Sequence, residues 1–238
     1  MGRIDNMAAI LDRIKTRGLF HGIGRWQYLP IDMELALELV EGIGKDRNPK
    51  FCIDNENRFT YENLIRWVHC DTEMKCIDPE TKQVIPGNLK RGIYIAGNTG
   101  SGKSWALEIM AAYTLVYNFQ IQMGETKRCL YWGNVRTDTI CDEYTEQGTF
   151  DKYKKMSIVG IQDLGAEPAE SMYMGNRINV LRQILEYRGD RTDQLTLITS
   201  NLPMNHKRFI ERYEDRVSSR LNEMCNYFEI KGKDRRKL

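Results

Sequence analysis

The sequence predicts an α/β fold: a parallel sheet of about five strands flanked by helices, preceded by a small, mainly helical N-terminal module. Three observations lead there. From Arg91 onward, short apolar runs of strand length alternate with longer segments of helical periodicity. A glycine-rich stretch separates the first apolar run from the first of those helical segments. Before Arg91 the periodic segments are helical, and Asp78-Pro79 and Pro86-Gly87 mark a turn-rich connector into the second part. The division therefore falls near residue 88, giving a module over 1–88 and a larger domain over 89–238. A length of 238 residues suits one domain with an appendage and is enough to bury a sizeable core.

In the first part, residues 7–17 form a short amphipathic segment closed by Gly18. Residues 32–40 place Leu35, Leu39 and Val40 at helical spacing, and Gly42 and Gly44 predict the stop. Residues 51–53 read as a short strand. Thr60 is a suitable N-cap for a helix carrying Leu64, Ile65, Trp67 and Val68. In the second part, residues 92–96 are an apolar strand and 103–117 a helix. Residues 128–132 read as the second strand, and 137–144 and 149–155 as helices. The third strand is 157–161, and Ile178, Leu181, Ile184 and Leu185 mark another helix. The fourth strand is 195–199 and the fifth 227–230.

Composition narrows the class. Apolar residues are 41%, charged residues 29% and the net charge is +2, which excludes a polycation or an acidic tail protein. No apolar run approaches the roughly 20 residues of a membrane helix, and the start lacks an apolar signal core, so the expected location is cytoplasmic with no membrane contact. The six cysteines are scattered without a Cys-x-x-Cys pair and read as reduced thiols. Cys52, His69, Cys70 and Cys76 fit no standard zinc spacing.

Gly97-Asn98-Thr99-Gly100-Ser101-Gly102-Lys103-Ser104 fits G-x-x-x-x-G-K-[ST] completely, with a strand before it and a helix after. The glycines let successive N–H groups turn toward phosphate oxygens, and the helix adds its positive end. Lys103 can reach the β- and γ-phosphates of ATP, and the Ser104 hydroxyl can ligate Mg²⁺. The third strand runs into Gln162-Asp163-Leu164-Gly165-Ala166-Glu167-Pro168. Adjacent strand residues face opposite ways, so residues 162 and 163 can serve separate roles, one toward the metal and one toward the attacking water. Asp163 is the acid here; Gln162 accepts a hydrogen bond but brings no charge.

These two motifs, followed by Ile198-Thr199-Ser200-Asn201 and Asp215-Arg216-Val217-Ser218-Ser219-Arg220-Leu221, resemble in order the DnaC/IstB group of AAA+ ATPases: helicase loaders and transposition helpers related to the DnaA initiators. The resemblance covers about residues 88–238. It implies an ATP- and Mg²⁺-dependent ATPase in which Asn201 is sensor 1, beside the γ-phosphate, and Arg220 is an arginine finger toward the neighbouring subunit, with Arg216 assisting. The group has two adjacent acids where this chain has Gln162-Asp163, a departure that bears on metal affinity and turnover. Gly232-Lys233-Asp234-Arg235-Arg236 resembles the Gly-x-Ser-x-Arg ending of IstB-like chains, and the chain is expected to lack the helical lid common in AAA+ proteins. The resemblance also implies a homo-oligomer, as ring or helical filament, and a replicative helicase or transposase bound through the N-terminal module.

Phe150, Lys152, Tyr153, Lys154 and Lys155 lie in a region that lines the DNA channel of related initiators and loaders. The lysines suit phosphates and the rings suit base stacking, as on single-stranded DNA, although the same pattern describes a helix with a solvated basic face. The basic tail, Lys231 to Lys237, is a second candidate. Two readings from other classes stay open: a P-loop small-molecule kinase, and a non-hydrolysing scaffold switched by ATP, which Gln162 keeps in play.

Overall fold

The structure, a computed structural model, describes residues 22–24, 28–123, 126–232 and 234–235. The amphipathic segment at 7–17, and Lys233, Arg236 and Lys237 of the tail, lie outside the described residues.

The centre is a parallel sheet built from β4 (Gly92–Gly97), β7 (Asn134–Arg136), β8 (Ile158–Leu164), β11 (Leu195–Ser200) and β12 (Cys225–Ile230). Its order is β12-β4-β11-β8-β7, so β11 separates the strand before the glycine-rich loop from the strand carrying Asp163. Strand periodicity divides the apolar residues between two cores. Ile93, Ile95 and Leu197 face one core with α3 (Lys103–Val116). Tyr94, Ala96 and Ile198 face the other, with α4 (Thr137–Gln147), α6 (Val180–Gly189) and α7 (Lys207–Met224). α5 (Asp151–Lys155) connects α4 to β8. The central strands are buried on both faces, as parallel strands usually are.

The N-terminal helices α1 (Met33–Arg47) and α2 (Arg58–His69) belong to the first of these cores. Leu37, Val40, Tyr61, Ile65 and Trp67 share it with Leu107, Met110 and Ile95, so the apolar interior does not divide at residue 88. α1 does not stop at its glycines. Asp32 caps it as its side chain accepts from Leu35 N–H at 3.1 Å, but the helix continues through Gly42 and Gly44. A Cβ on Gly44 would lie 2.2 Å from the Phe51 ring, so this glycine is required by packing rather than by chain reversal. Residues 51–53 form no strand, because Phe51 turns inward against Tyr61 and Trp105. Helix α2 begins at Arg58, and Thr60 lies inside it, donating to the Glu229 carbonyl at 3.3 Å.

Short antiparallel pieces decorate this frame. β2 (Lys75–Ile77) pairs with β3 (Val84–Pro86) around the turn at Asp78-Pro79 that opens the predicted connector. β1 (Ile23–Gly24), β5 (Gln120–Met123) and β6 (Thr126–Cys129) make a separate antiparallel sheet. The second parallel strand is therefore not 128–132: β6 ends at Cys129, and β7 takes that place in the sheet. β9 (Ser171–Tyr173) and β10 (Asn176–Ile178) form a hairpin between β8 and α6. No helix among the described residues is long and apolar enough to cross a membrane.

Candidate functional site: a cleft at the carboxyl ends of the strands

β4 ends in the glycine-rich loop, and α3 starts at Lys103, as the motif predicts. Gly100 and Gly102 hold φ of +80° and +96°, left-handed values that side chains rarely adopt. The loop borders a cleft of about 710 Å³. Thr99 to Ser104, Gln162, Asp163 and Asn201 all line it. Gly97 and Asn98 form the loop's base; the Asn98 carbonyl accepts from Lys103 Nζ at 2.8 Å. The same ammonium donates to Asn201 Oδ1 at 2.9 Å, so the lysine and the predicted sensor meet at the carboxyl ends of the neighbouring strands β4 and β11. Lys103 is only 4% exposed, and the Ser101 hydroxyl is buried without a partner. Buried polar groups need partners, so a loop with an orphan hydroxyl and a buried ammonium fits an anionic ligand.

Strict alternation would put residues 162 and 163 on opposite faces of β8. The structure brings both to the cleft. Opposite Ile198 and Ser200, β8 slips by one residue between Ile161 and Leu164, and Asp163 adopts φ +60°. That bulge re-aims the side chains at the strand's end. Asp163 is pinned on several sides: its N–H donates to Thr199 Oγ1 at 3.0 Å, its carbonyl accepts from Thr137 Oγ1 at 3.1 Å, and its Oδ2 pairs with Arg136 Nη1 at 3.1 Å. Glu167 of the same motif points away, into a buried set with Arg212 and Tyr213, and accepts from Gly165 N–H at 2.9 Å.

Sequence reasoning missed several lining residues. Arg47, Phe51 and Tyr61 enter from the N-terminal helices and the loop between them, Trp105 and Glu108 from α3, and Arg136 from β7. Arg235 closes the far side: its N–H donates to the Gly100 carbonyl at 2.9 Å and its guanidinium grips Asp54 through both carboxylate oxygens at 2.8 and 2.9 Å. That guanidinium holds the Asp54 carboxyl below its ordinary range. Trp105 and Glu108 had a sequence signal in their places beside Ser104 on the predicted helix, and Arg235 stood in the basic tail read as a nucleic-acid candidate, but it is committed to Asp54 instead. The others arrive from distant parts of the chain.

Arg220 and Arg216 do not line this cleft. Arg220 pairs with Asp190 at 2.5 Å and Glu223 at 3.6 Å, and Arg216 reaches Asp190 at 4.0 Å. The predicted nucleic-acid surface changes in one respect. Phe150 and Tyr153 are 7% and 3% exposed and belong to the second core, so neither can stack on a base. The lysines stay outside but have partners: Lys152 with Glu143 at 2.7 Å, Lys155 with Asp151 at 3.6 Å, and Lys154 4.4 Å from the Phe150 ring centroid. No group of three or more metal-ligating side chains occurs among the described residues. His69 is committed elsewhere, bonded to the Leu29 carbonyl at 3.0 Å and the Tyr113 hydroxyl at 2.7 Å.

The parallel sheet, the glycine-rich loop and the acid strand two places away define a P-loop NTPase fold. No family model matches the chain, and no curated protein matches it. Among solved structures it is similar to a protein described as a candidate primosome component from Streptococcus pyogenes serotype M3, with 20% identity over 76% of this chain and 83% of that one and a TM-score of 0.50. Domain III of the Thermotoga maritima replication initiation protein DnaA matches at 15% identity over 76% of this chain and 65% of that one, with a TM-score of 0.49. A DnaC helicase loader matches at 14% identity over 77% and 94%, with a TM-score of 0.46. At these identities the likeness is one of fold alone.

Proposed function

We propose that the chain binds Mg²⁺-ATP in this cleft and hydrolyses it slowly as an AAA+ protein acting with DNA, in the first reading as a replicative helicase loader. The observation that carries the proposal is Lys103, buried in a complete phosphate-binding loop and joined to Asn201 beside the acid strand. The loop N–H groups and the start of α3 hold phosphates; Lys103 neutralises the β- and γ-oxygens. The Ser104 hydroxyl and Gln162 are the groups that would hold a bound Mg²⁺, which would supply charge neutralisation. Asn201 orients a water near the γ-phosphate, and Asp163 accepts its proton once the Arg136 pair loosens. Gln162, uncharged where the group has an acid, supports slow turnover and keeps the ATP-switched scaffold as a second reading. Residues 1–88 are assigned to partner contact, with a replicative helicase first and a transposase second. Light scattering with and without ATP and single-stranded DNA tests the proposal. ATP-dependent assembly that requires an intact Lys103 supports it, and a monomer unmoved by nucleotide rejects it.

A further inference from the structure

Glu108 belongs to none of the motifs, yet it lines the cleft beside Ser104 and Gln162. It follows Ser104 by four residues on α3, so the two side chains share a helix face one turn apart. Both line the cleft, and so does Gln162. The Gln162 amide nitrogen donates to Glu108 Oε1 at 2.9 Å and to the Ser104 carbonyl at 3.4 Å. Neither acceptor has a hydrogen to give, so the nitrogen must face them. The amide oxygen is the polar atom this side chain has left. The second Glu108 oxygen pairs with Arg47, in the last turn of α1, whose guanidinium also lies 5.1 Å from the Trp105 ring centroid.

We propose that Glu108 is the positioning carboxylate of the metal side, supplying through Gln162 the negative charge that an acid at 162 would supply directly. The inference rests on the reading of the cleft as a Mg²⁺-nucleotide site. The donor set fits that ion. Mg²⁺ is held by one or two protein groups together with phosphates and waters, so a hydroxyl and an amide oxygen suffice without a cage of acids. An amide oxygen is neutral, and a carboxylate bonded to the amide N–H both orients it and raises its donor strength, as outer-shell carboxylates do for ligating histidines. An acid at 162 beside Glu108 would set two carboxylates about 3 Å apart, where both cannot stay ionised. The amide at 162 and the acid at 108 therefore belong together: the charge has moved one hydrogen bond outward. Arg47 balances Glu108 from the opposite side and ties α1 to the site.

The test compares the parent with Glu108→Gln, Gln162→Glu and the double variant that exchanges the two groups. A fluorescent ATP analogue is titrated in EDTA and at rising Mg²⁺, and Mn²⁺ bound with nucleotide is counted by electron paramagnetic resonance. Glu108→Gln should bind the analogue in EDTA like the parent, but need about tenfold more Mg²⁺ or Mn²⁺ for the metal-dependent part. The exchange variant should return close to the parent, and Gln162→Glu alone should gain nothing. An unchanged metal requirement in Glu108→Gln overturns the proposal, as does an exchange variant that melts like the parent yet stays as impaired as Glu108→Gln. If the exchange variant does not melt cooperatively, the Mn²⁺ count of Glu108→Gln decides alone. A parent that binds no analogue in either condition fails differently: it rejects the nucleotide reading of the cleft itself.

Discussion

Asp163 has a backbone that few residues accept. Its φ of +60° costs most side chains energy, and Asn and Asp bear it best. Strain of this kind persists where the surroundings over-determine it, and Thr137, Thr199 and Arg136 do so here. Asp163→Asn keeps the tolerant backbone and removes the proposed base. It should melt close to the parent and bind ATP normally, while hydrolysis falls by about 100-fold or more. A large loss of thermal stability would instead make the Arg136 pair structural. Lys103→Ala removes a charge-assisted contact worth about 1.5–3 kcal/mol, so calorimetric titration should show ATP affinity falling at least about tenfold. The loop was legible in the sequence because its residues are contiguous and its chemistry is mostly backbone. Arg47 and Arg136 were not, because only tertiary folding delivers them, and Arg235 was read as part of a basic tail for nucleic acid but turns to Asp54; nothing in the spacing of Arg47 and Glu108 says they touch.

Among the elements, strands buried on both faces were the easiest to read. β4, β8, β11 and β12 are short apolar runs bounded by turns, and each was found within a few residues. β7 was missed because Asn134-Val135-Arg136 has three residues with one apolar side chain, while the preceding residues looked more strand-like. The glycine rule failed in α1, where Gly44 lies in a helix because Phe51 lies against it. Gly44→Ala should therefore not stabilise the protein as a helix-propensity argument predicts. Overpacking against Phe51 should destabilise by about 1–3 kcal/mol in denaturant melts. A stabilised variant would show that the ring moves freely. The α2–α3 contact adds a pH dependence. Burial lowers the His69 pKa, so the neutral ring is the native form, accepting from the Tyr113 hydroxyl and donating to the Leu29 carbonyl. Its unfolded value, about 6.5, is the higher one. Protons then favour the unfolded chain as pH falls, and stability should drop as pH is lowered from about 7 through the unfolded value. His69→Gln should be less stable at neutral pH but show a flatter profile across that range. Equal slopes in the two proteins would assign the acid sensitivity to other groups.

For the whole molecule, if the proposed arginine-finger reading holds, the position of Arg220 sets the kind of assembly that would form. α7 leads into β12, whose first residue pairs with Gly92 at the opposite end of β4 from the phosphate loop. Five residues of strand separate those ends by roughly 16 Å. Arg220 lies one turn before that helix ends, packed against Gly189 and paired with Asp190, and cannot close over its own nucleotide. A contact from this arginine to phosphate must come from another copy. Repeated head-to-tail, such a contact is heterologous and builds a ring if it closes or a helical filament if it does not. In such a contact the Asp190 pair would compete with the neighbour's γ-phosphate for the guanidinium. Arg220→Ala should leave ATP binding by the monomer intact while removing ATP-dependent assembly and most hydrolysis, since an arginine finger is worth about a thousandfold or more in rate. Asp190→Asn should release the arginine and lower the protein concentration at which assembly begins. Mixing identifies the direction of the contact. A Lys103→Ala subunit keeps Arg220 and can donate it to an Arg220→Ala subunit with a sound loop, so the mixture should recover hydrolysis that neither variant shows alone. A mixture as inactive as its components, together with normal assembly of Arg220→Ala, would reduce Arg220 to an ion-pair residue bridging α6 and α7.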